Sequence, residues 1–414
     1  MAAPAERYST ADAALAEIMS RIRSRRDAET VSSLASFGRV SAEDVRAPAD
    51  VPPFPTSHWD GYAVISEDVE GSTDAAPVSL KVVGSAGPGA LQKLTLRSGE
   101  SVRVATGAPL PAGADTVVPV EAVGVDGDCV QVRGPSPPGS HVYDRGEDVR
   151  KGEVILRKGQ PIRAQDAGLL ISLGVRKAKV WRRPKVSVLS TGTELTDARR
   201  PKAGRVVNSH SLVFLALLEA LGCVPMDLGI AKDDVAEISR MVRGGLARSD
   251  VVLTLGGTSA GRHDYVAEAL ARLNPEVFVH GVKMDRGRVS GIAAVRGKAV
   301  LMMPGPIQGA MNAFLLLGVP ILEVLSGGRG RATEIPCVFG GTWEARPRYA
   351  DFRKVVYVKI ERGPDLVARP LAAETESMNI LARADGFVVV PENVTRMGPG
   401  DRVWVSLLPG FSFA

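Results

Sequence analysis

Aromatic side chains are scarce in this chain, at 5% of 414 residues. No basic run interleaves with them, so nucleic-acid binding by stacking and phosphate contact stays a weak alternative. Cysteine is scarcer still. Cys129, Cys223 and Cys337 are far apart and lack the close pairs that zinc or a redox motif needs. They read as buried thiols in a reducing compartment. Long apolar runs are missing too: Ala313-Phe-Leu-Leu-Leu-Gly-Val-Pro-Ile-Leu322 is short and interrupted for a bilayer span. Residues 1–20 carry Glu6, Asp12 and Glu17 without an apolar block, unlike a signal peptide. The expectation is a soluble, cytoplasmic protein with no membrane and no nucleic-acid partner. Neither G-x-x-x-x-G-K-[ST] nor G-x-G-x-x-G occurs at the Gly-rich turns, which removes the best support for a P-loop ATPase or a nicotinamide dehydrogenase.

What is present is a globular composition, 45% hydrophobic and 23% charged, with 44 Gly and 28 Pro that mark many turns. The excess of Lys and Arg, 51 against 46 acids, leaves +5, which suits small anionic ligands. The length predicts several domains.

A first amphipathic helix is expected from about Ala11 to Arg25, with Ala14, Leu15, Ile18 and Ile22 on one face, and a second from Val31 to Val40. From Ala47 the texture turns to Pro/Gly-punctuated strands, Val78–Val83, Glu100–Val104, Thr116–Val120 and Cys129–Val132, which predict a separate all-β unit. A strand at Gly152–Leu156 and a helix at Ala164–Leu173 then return the chain to what the first segment began. Between Pro184 and Leu325 strands and helices alternate, predicting a mostly parallel sheet with helices on both faces. There Asn208 and Ser209 can cap a helix whose apolar face holds Leu212, Leu215, Leu218 and Leu221. A further helix is expected over Asp233–Leu246. The tail, with strands near Phe352–Ile360, Leu366–Arg369, Gly386–Val390 and Arg402–Leu407, predicts a small barrel of about five strands.

The fold expected is therefore a multidomain α/β plus all-β chain. Its parts are a discontinuous helical and mixed linker domain at 1–46 and 145–183, whose first helix is free to pack elsewhere, an inserted β domain at 47–144, an α/β domain at 184–328 and a C-terminal β-barrel at 329–414.

Two β-branched runs, Lys185-Val-Ser-Val-Leu-Ser190 and Asp250-Val-Val-Leu-Thr-Leu255, spill into Ser190-Thr191-Gly192-Thr193-Glu194-Leu195 and Gly256-Gly257-Thr258-Ser259-Ala260-Gly261-Arg262-His263-Asp264. Small residues at the ends of parallel strands let backbone N–H groups and hydroxyls approach an anion. Two ordinary strand-to-helix turns would look the same, but two at corresponding strand ends, carrying Glu194 and Asp264, point to a site. Three other segments stand out. Trp59-Asp60-Gly61-Tyr62 follows a rigid Pro-rich run, Ala105-Thr106-Gly107-Ala108-Pro109 presents a hydroxyl, and Tyr143-Asp144-Arg145-Gly146-Glu147-Asp148 is an acid-rich turn able to hold a hydrated divalent cation. Simpler roles stay open. Asp60 and Asp148 suit Asx-turns, Thr106 an ST-turn, Asp264 and one of Asp233 and Asp234 helix caps, and His210 and His263 solvated or capping positions.

Taken in order, these five motifs resemble the molybdopterin molybdenumtransferase family (MoeA and the E domain of gephyrin), over almost the whole chain. The resemblance implies four domains, an elongated homodimer and a site between the α/β domain of one subunit and the inserted domain of the other. It implies insertion of molybdate, or tungstate, into adenylylated molybdopterin with Mg²⁺ and release of AMP, in molybdenum cofactor biosynthesis. An upstream molybdopterin adenylyltransferase is the implied partner. By motif, Asp60, Thr106 and Asp148 are expected on the inserted side, and Glu194, Asp234 and Asp264 on the α/β side, all as catalytic residues. Glu194 and Asp264 are the expected cation ligands. Ser190, Thr191, Gly192, Gly256, Gly257, Thr258, Ser259, Gly261 and Arg288 are the expected cofactor-binding residues. The chain departs from the family pattern where Trp59 replaces Met, where Asp285-Arg286-Gly287-Arg288-Val289 replaces Lys-Pro-Gly-Lys-Pro, and where Pro304-Gly305-Pro306-Ile307-Gln308-Gly309 replaces Pro-Gly-Asn-Pro-Val-Ser. The alternative is a non-catalytic, molybdopterin-binding or scaffold member of the same family.

Overall fold

The computed structural model describes residues 8–22, 27–89, 94–258, 264–327, 333–371 and 377–408. At its centre is a six-stranded sheet in the order Val224–Ala231, Lys185–Thr191, Val251–Leu255, Lys298–Met303, Gly291–Val295 and Val277–His280. The first four strands run parallel, Gly291–Val295 runs antiparallel to them, and Val277–His280 pairs antiparallel with Gly291–Val295. Alternation along the strands divides the core. Val186 and Val188, Val251, Leu253 and Leu255, and Leu301 and Met303 face one layer, while Leu189, Val252, Val300 and Met302 face the other. Helices cover both faces, as a sheet buried on two sides requires. One layer receives Phe214 and Leu218 of the helix Ser209–Ala220, and the other receives Ile238 and Val242 of Val235–Arg248 with Val266, Ala269 and Leu270 of Tyr265–Ala271.

The helix Ala11–Met19 is capped by Thr10, whose hydroxyl accepts from Ala13 N–H at 3.2 Å. Its buried Ala14 and Ile18 dock on the central sheet rather than on the linker segments. Those segments pair with each other instead: Ala28–Ser32 runs antiparallel to Lys177–Trp181, and Val45–Arg46 to Val154–Leu156. The helix expected over Val31–Val40 is absent. Val31 pairs with Ala178, and only the single turn Leu34–Ser36 follows. Serines contribute to the brevity, because the Ser32 hydroxyl accepts from Ala35 N–H and the Ser36 hydroxyl donates to the Ser33 carbonyl, local bonds that compete with helix propagation, while Ser33 bonds to the distant Val175 carbonyl.

Two further expectations change. The face of Ser209–Ala220 is rotated, since Leu212 is 62% exposed while Phe214 packs edge-on against Phe314 at 5.4 Å. Asn208 occupies the N-cap position without capping, because its carboxamide accepts from the Ser190 hydroxyl at 2.8 Å. The apolar run near Ala313 is part of a 20-residue helix, Ile307–Ser326, that continues through a π turn at Phe314–Gly318. It is long and apolar enough to cross a membrane, but here it is a mostly buried core helix presenting Phe314, Leu317 and Ile321 to the sheet.

The inserted unit is a second six-stranded sheet in the order Thr116–Pro119, Gly61–Val64, Glu100–Val104, Val78–Ala86, Cys129–Val132 and Val123–Asp126. The C-terminal strands close into a five-stranded barrel: Glu334–Phe339, Val367–Pro370, Lys354–Glu361, Gly386–Val390 and Arg402–Leu407.

Candidate functional site

The ends of the parallel strands Lys185–Thr191 and Val251–Leu255 open into a cleft of about 520 Å³. Ser190, Thr191, Gly192, Glu194, Gly256, Gly257 and Thr258 line it, together with Asn208, Ser209 and His210 at the start of one helix and Gly305 and Pro306 at the start of Ile307–Ser326. Two helix N-termini and two strand-end loops thus converge on one space, which favours negative charge.

Backbone crowding makes the cradle. At Gly257, with φ +65°, a Cβ would stand 2.5 Å from Thr191 Oγ1 and 2.8 Å from Val266 Cγ2. At Gly192 it would stand 2.7 Å from Glu194 Oε1, so the carboxylate lies over the bare backbone of its own turn. The Thr258 hydroxyl is buried and finds no hydrogen-bond partner among the described residues. An orphaned hydroxyl beside bare backbone is the kind of group a phosphate oxygen satisfies.

The acids divide. Glu194 and Asp233 line the cleft, and Asp233 is tied to its neighbour loop by the Thr193 N–H at 3.0 Å. Asp234, the expected catalytic partner, points elsewhere: it caps Val235–Arg248, accepting from Glu237 N–H at 2.7 Å. Asp264 caps Tyr265–Ala271 through Ala267 N–H at 2.8 Å, and its other oxygen lies 2.9 Å from His280 Nε2. Ser259 and Gly261 lie outside the described residues. No group of three or more His, Cys, Asp or Glu residues able to hold a metal occurs among the described residues. The acid-rich turn is accordingly no preformed cation cage: Glu147 accepts from Asp144 N–H, Arg145 pairs with Asp50, and Asp148 is exposed.

His210, read from sequence as a solvated or capping residue, lines the cleft. Burial pushes its pKa below the ordinary value, opposed by its hydrogen bond with the Gly305 backbone, so the ring is neutral at pH 7. Nothing in the local sequence marks it, because Gly305 reaches it from a distant turn.

On the inserted sheet two motifs 46 residues apart meet. Asp60 Oδ1 accepts from both the Thr106 N–H, at 2.6 Å, and the Thr106 hydroxyl, at 2.9 Å. These bonds, the backbone one first, hold the Asp60 carboxyl below its ordinary pKa. The antiparallel strands Gly61–Val64 and Glu100–Val104 bring the two turns together. None of Asp60, Thr106 and Asp148 lines the α/β cleft of the same chain.

Arg288 is also away from that cleft. Its guanidinium stands 5.6 Å from the Tyr349 ring centre, where Arg346 and Arg348 also stack. Nearby, a second cleft of about 660 Å³ between the sheet and the barrel is lined by Asp285, Arg286, Gln308, Arg346, Lys354 and Tyr357. Asp285, which takes the place of a Lys in the resembling pattern, forms an ion pair with Arg346. Lys354 is buried and donates to the carbonyls of Ala350 and Val394, and burial lowers its pKa.

Comparison with known proteins agrees with this layout along the chain. Residues 9–174 match the MoeA N-terminal region (domain I and II), residues 187–324 the probable molybdopterin binding domain, and residues 338–408 the MoeA C-terminal region (domain IV). Molybdopterin molybdenumtransferase 2 of Mycobacterium tuberculosis is 30% identical over 383 residues, covering 91% of this chain and 94% of its own. The molybdopterin molybdenumtransferase of a Nostoc species is 31% identical over 314 residues, 75% of this chain and 72% of its own. The crystal structure of the molybdopterin biosynthesis MoeA protein of Pyrococcus horikoshii superposes with a TM-score of 0.83 at 31% identity, over 98% of this chain and 100% of that one. With three successive domain matches and a relative 30% identical that is covered over 94% of its length, the chain belongs to the molybdopterin molybdenumtransferase (MoeA) family.

Proposed function

We propose that the protein is a transferase of molybdenum cofactor biosynthesis, inserting molybdate or tungstate into adenylylated molybdopterin with Mg²⁺-dependent release of AMP. The observation that carries the reading is the α/β cleft, whose bare glycine backbone, orphaned Thr258 hydroxyl and two helix N-termini suit a phosphorylated ligand. The donor set fits Mg²⁺ in the way that ion is usually held, by one or two carboxylates plus substrate phosphates. Glu194 is the favoured ligand, with Asp233 beside the same cleft. Asp264, the second expected ligand, caps Tyr265–Ala271 with one carboxylate oxygen, and its other oxygen lies 2.9 Å from His280 Nε2. Bound Mg²⁺ would neutralise pyrophosphate charge and polarise the scissile P–O bond.

Asp60, held anionic by Thr106, orients an attacking oxygen, and Asp148 belongs to the same side. Since these residues do not reach the cleft of their own chain, a homodimer whose inserted sheet closes the neighbour's cleft is the arrangement we favour. Arg286 and Arg346 line the second cleft with guanidinium groups suited to a tetrahedral oxyanion. Cys129, Cys223 and Cys337 form no disulfide among the described residues, which suits a cytoplasmic setting. The Asp285–Arg346 pair, which cancels charge in that cleft, favours the second reading, a scaffold member that binds molybdopterin without turnover.

The deciding experiment supplies purified protein with adenylylated molybdopterin, Mg²⁺ and either oxyanion. AMP release that depends on molybdate or tungstate, with reconstitution of a cofactor-free molybdoenzyme, establishes the transferase. Tight binding without AMP release establishes the scaffold.

A further inference from the structure

Beside Asp60 the chain gathers aromatic rings that its composition makes scarce. Trp59 is 46% exposed and lies against His141, ring centres 5.2 Å apart. His58 lies against Tyr143 at 4.3 Å, and Tyr143 is 38% exposed. Thr56–Ser57 pairs with Val142–Tyr143, and the His58 N–H donates to the His141 carbonyl at 2.8 Å, so backbone bonds fix both pairs in register. His141 holds a left-handed backbone, φ 57°, without being glycine. Such a conformation persists where surrounding contacts over-determine it, and it clusters at ligand-binding positions.

Exposed aromatic rings forgo burial unless something covers them. The α/β cleft offers the substrate its phosphate contacts, but Tyr265 is the one Phe, Tyr or Trp among its described lining residues. An adenylylated pterin carries two planar ring systems. We propose that Trp59 with His141, and His58 with Tyr143, form a stacking platform for a planar nitrogen heterocycle of the substrate, its adenine or its pterin. This rests on the transferase reading for the identity of the substrate, and on the rings alone for the chemistry recognised. The Asp60–Thr106 lock begins one residue after Trp59, so a ring seated there is positioned relative to that carboxylate.

The test uses the full-length protein and tryptophan fluorescence, titrated with AMP, a simple pterin and ribose 5-phosphate. Quenching by AMP but not by the pterin assigns adenine, and the reverse assigns pterin. Ribose 5-phosphate, which lacks a ring, leaves emission unchanged. By calorimetry, used because both variants lack the reporting ring, Trp59→Ala lowers the affinity of the quenching ligand about tenfold, and Trp59→Phe recovers most of it. In turnover, Trp59→Ala raises KM for the adenylylated substrate about tenfold, with a smaller change in kcat. Absence of quenching by both ring-bearing probes, or equal affinity in a folded Trp59→Ala protein, overturns the platform. So does dissociation of the oligomer in Trp59→Ala, which would make Trp59 a subunit contact. If no AMP is released by the wild type but ring binding depends on Trp59, the transferase reading fails and the platform stands. Unchanged KM in an active Trp59→Ala enzyme fails the platform and leaves the transferase.

Discussion

In the α/β cleft the candidate ligand-facing groups are mostly backbone: bare turns at Gly192 and Gly257, two helix starts and a buried hydroxyl, with Glu194 laid over its own loop. At the corner of the inserted sheet they are side chains, an exposed carboxylate locked by a threonine and flanked by stacked rings. A backbone cradle at strand ends is set by the fold, because shifting one strand would destroy it. A side-chain corner is set by residue identity and stays open to solvent until something docks. The difference predicts that the first half tolerates little change in shape and the second little change in chemistry.

The widest gap in effect is expected at Asp60. Asp60→Ala should reduce oxyanion-dependent AMP release by about 10²–10⁴-fold with the melting temperature unchanged, since a positioned acid or base contributes on that scale. Thr106→Ala, which keeps the backbone donor but loses the hydroxyl, should cost about ten- to a hundredfold, the worth of one hydrogen bond to a charged group. Full activity in a folded Asp60→Ala protein would remove the corner from the mechanism.

In the cradle, shape should dominate. Gly257→Ala meets Thr191 and a left-handed backbone and should lose about 1–3 kcal/mol in urea unfolding along with ligand binding. Gly244→Ala, in the helix Val235–Arg248 with open space at its Cβ, should instead gain about 0.5–1 kcal/mol. Equal and small changes at both positions would contradict the crowding argument.

Caps provide the next smaller contrast. Asp234→Ala should cost about 1 kcal/mol of stability through the lost N-cap and little turnover. Glu194→Gln should do the reverse, abolishing Mg²⁺-dependent AMP release while the unfolding midpoint stays put. An Asp234→Ala protein of wild-type stability but no activity would restore Asp234 to the catalytic set.

The smallest effect is electrostatic. His210 has a folded pKa below its unfolded value of 6.5. As pH falls through 6.5 the unfolded chain takes the proton first, so stability declines, and the decline ends below the folded pKa. An NMR titration of His210 should show a midpoint under 6.5, and a midpoint above it would mean that the Gly305 contact outweighs burial.

Much of the layout was legible in the residues. The β-branched runs Lys185–Ser190 and Asp250–Leu255 marked the buried parallel strands, and the tail strands marked the barrel. Where local signals competed, the reading failed. Val31–Val40 has apolar spacing for a helix, but Ser32 and Ser36 bond to nearby backbone groups and Val31 is claimed by a strand partner from residue 178. Leu212 fits a leucine stripe, yet Phe214 fills the space beside Phe314 and turns the helix. Asp233 and Asp234 are chemically equivalent in sequence, and only the start of the helix decides which one caps and which faces the cleft.

Sequence by itself determined the chemistry available and the order in which it is delivered: glycine and hydroxyl turns after β-branched runs, an acid beside glycine, and the motif succession of the MoeA family. These are local properties, because period, turn propensity and residue type are read over a few positions. Tertiary structure alone decided that Asp60 meets Thr106, that the Thr258 hydroxyl is buried without a partner among the described residues, that His210 enters the cleft, and that the aromatic pairs share one corner. Each depends on a contact between segments far apart in the chain, set by strand register and packing rather than by neighbouring residues.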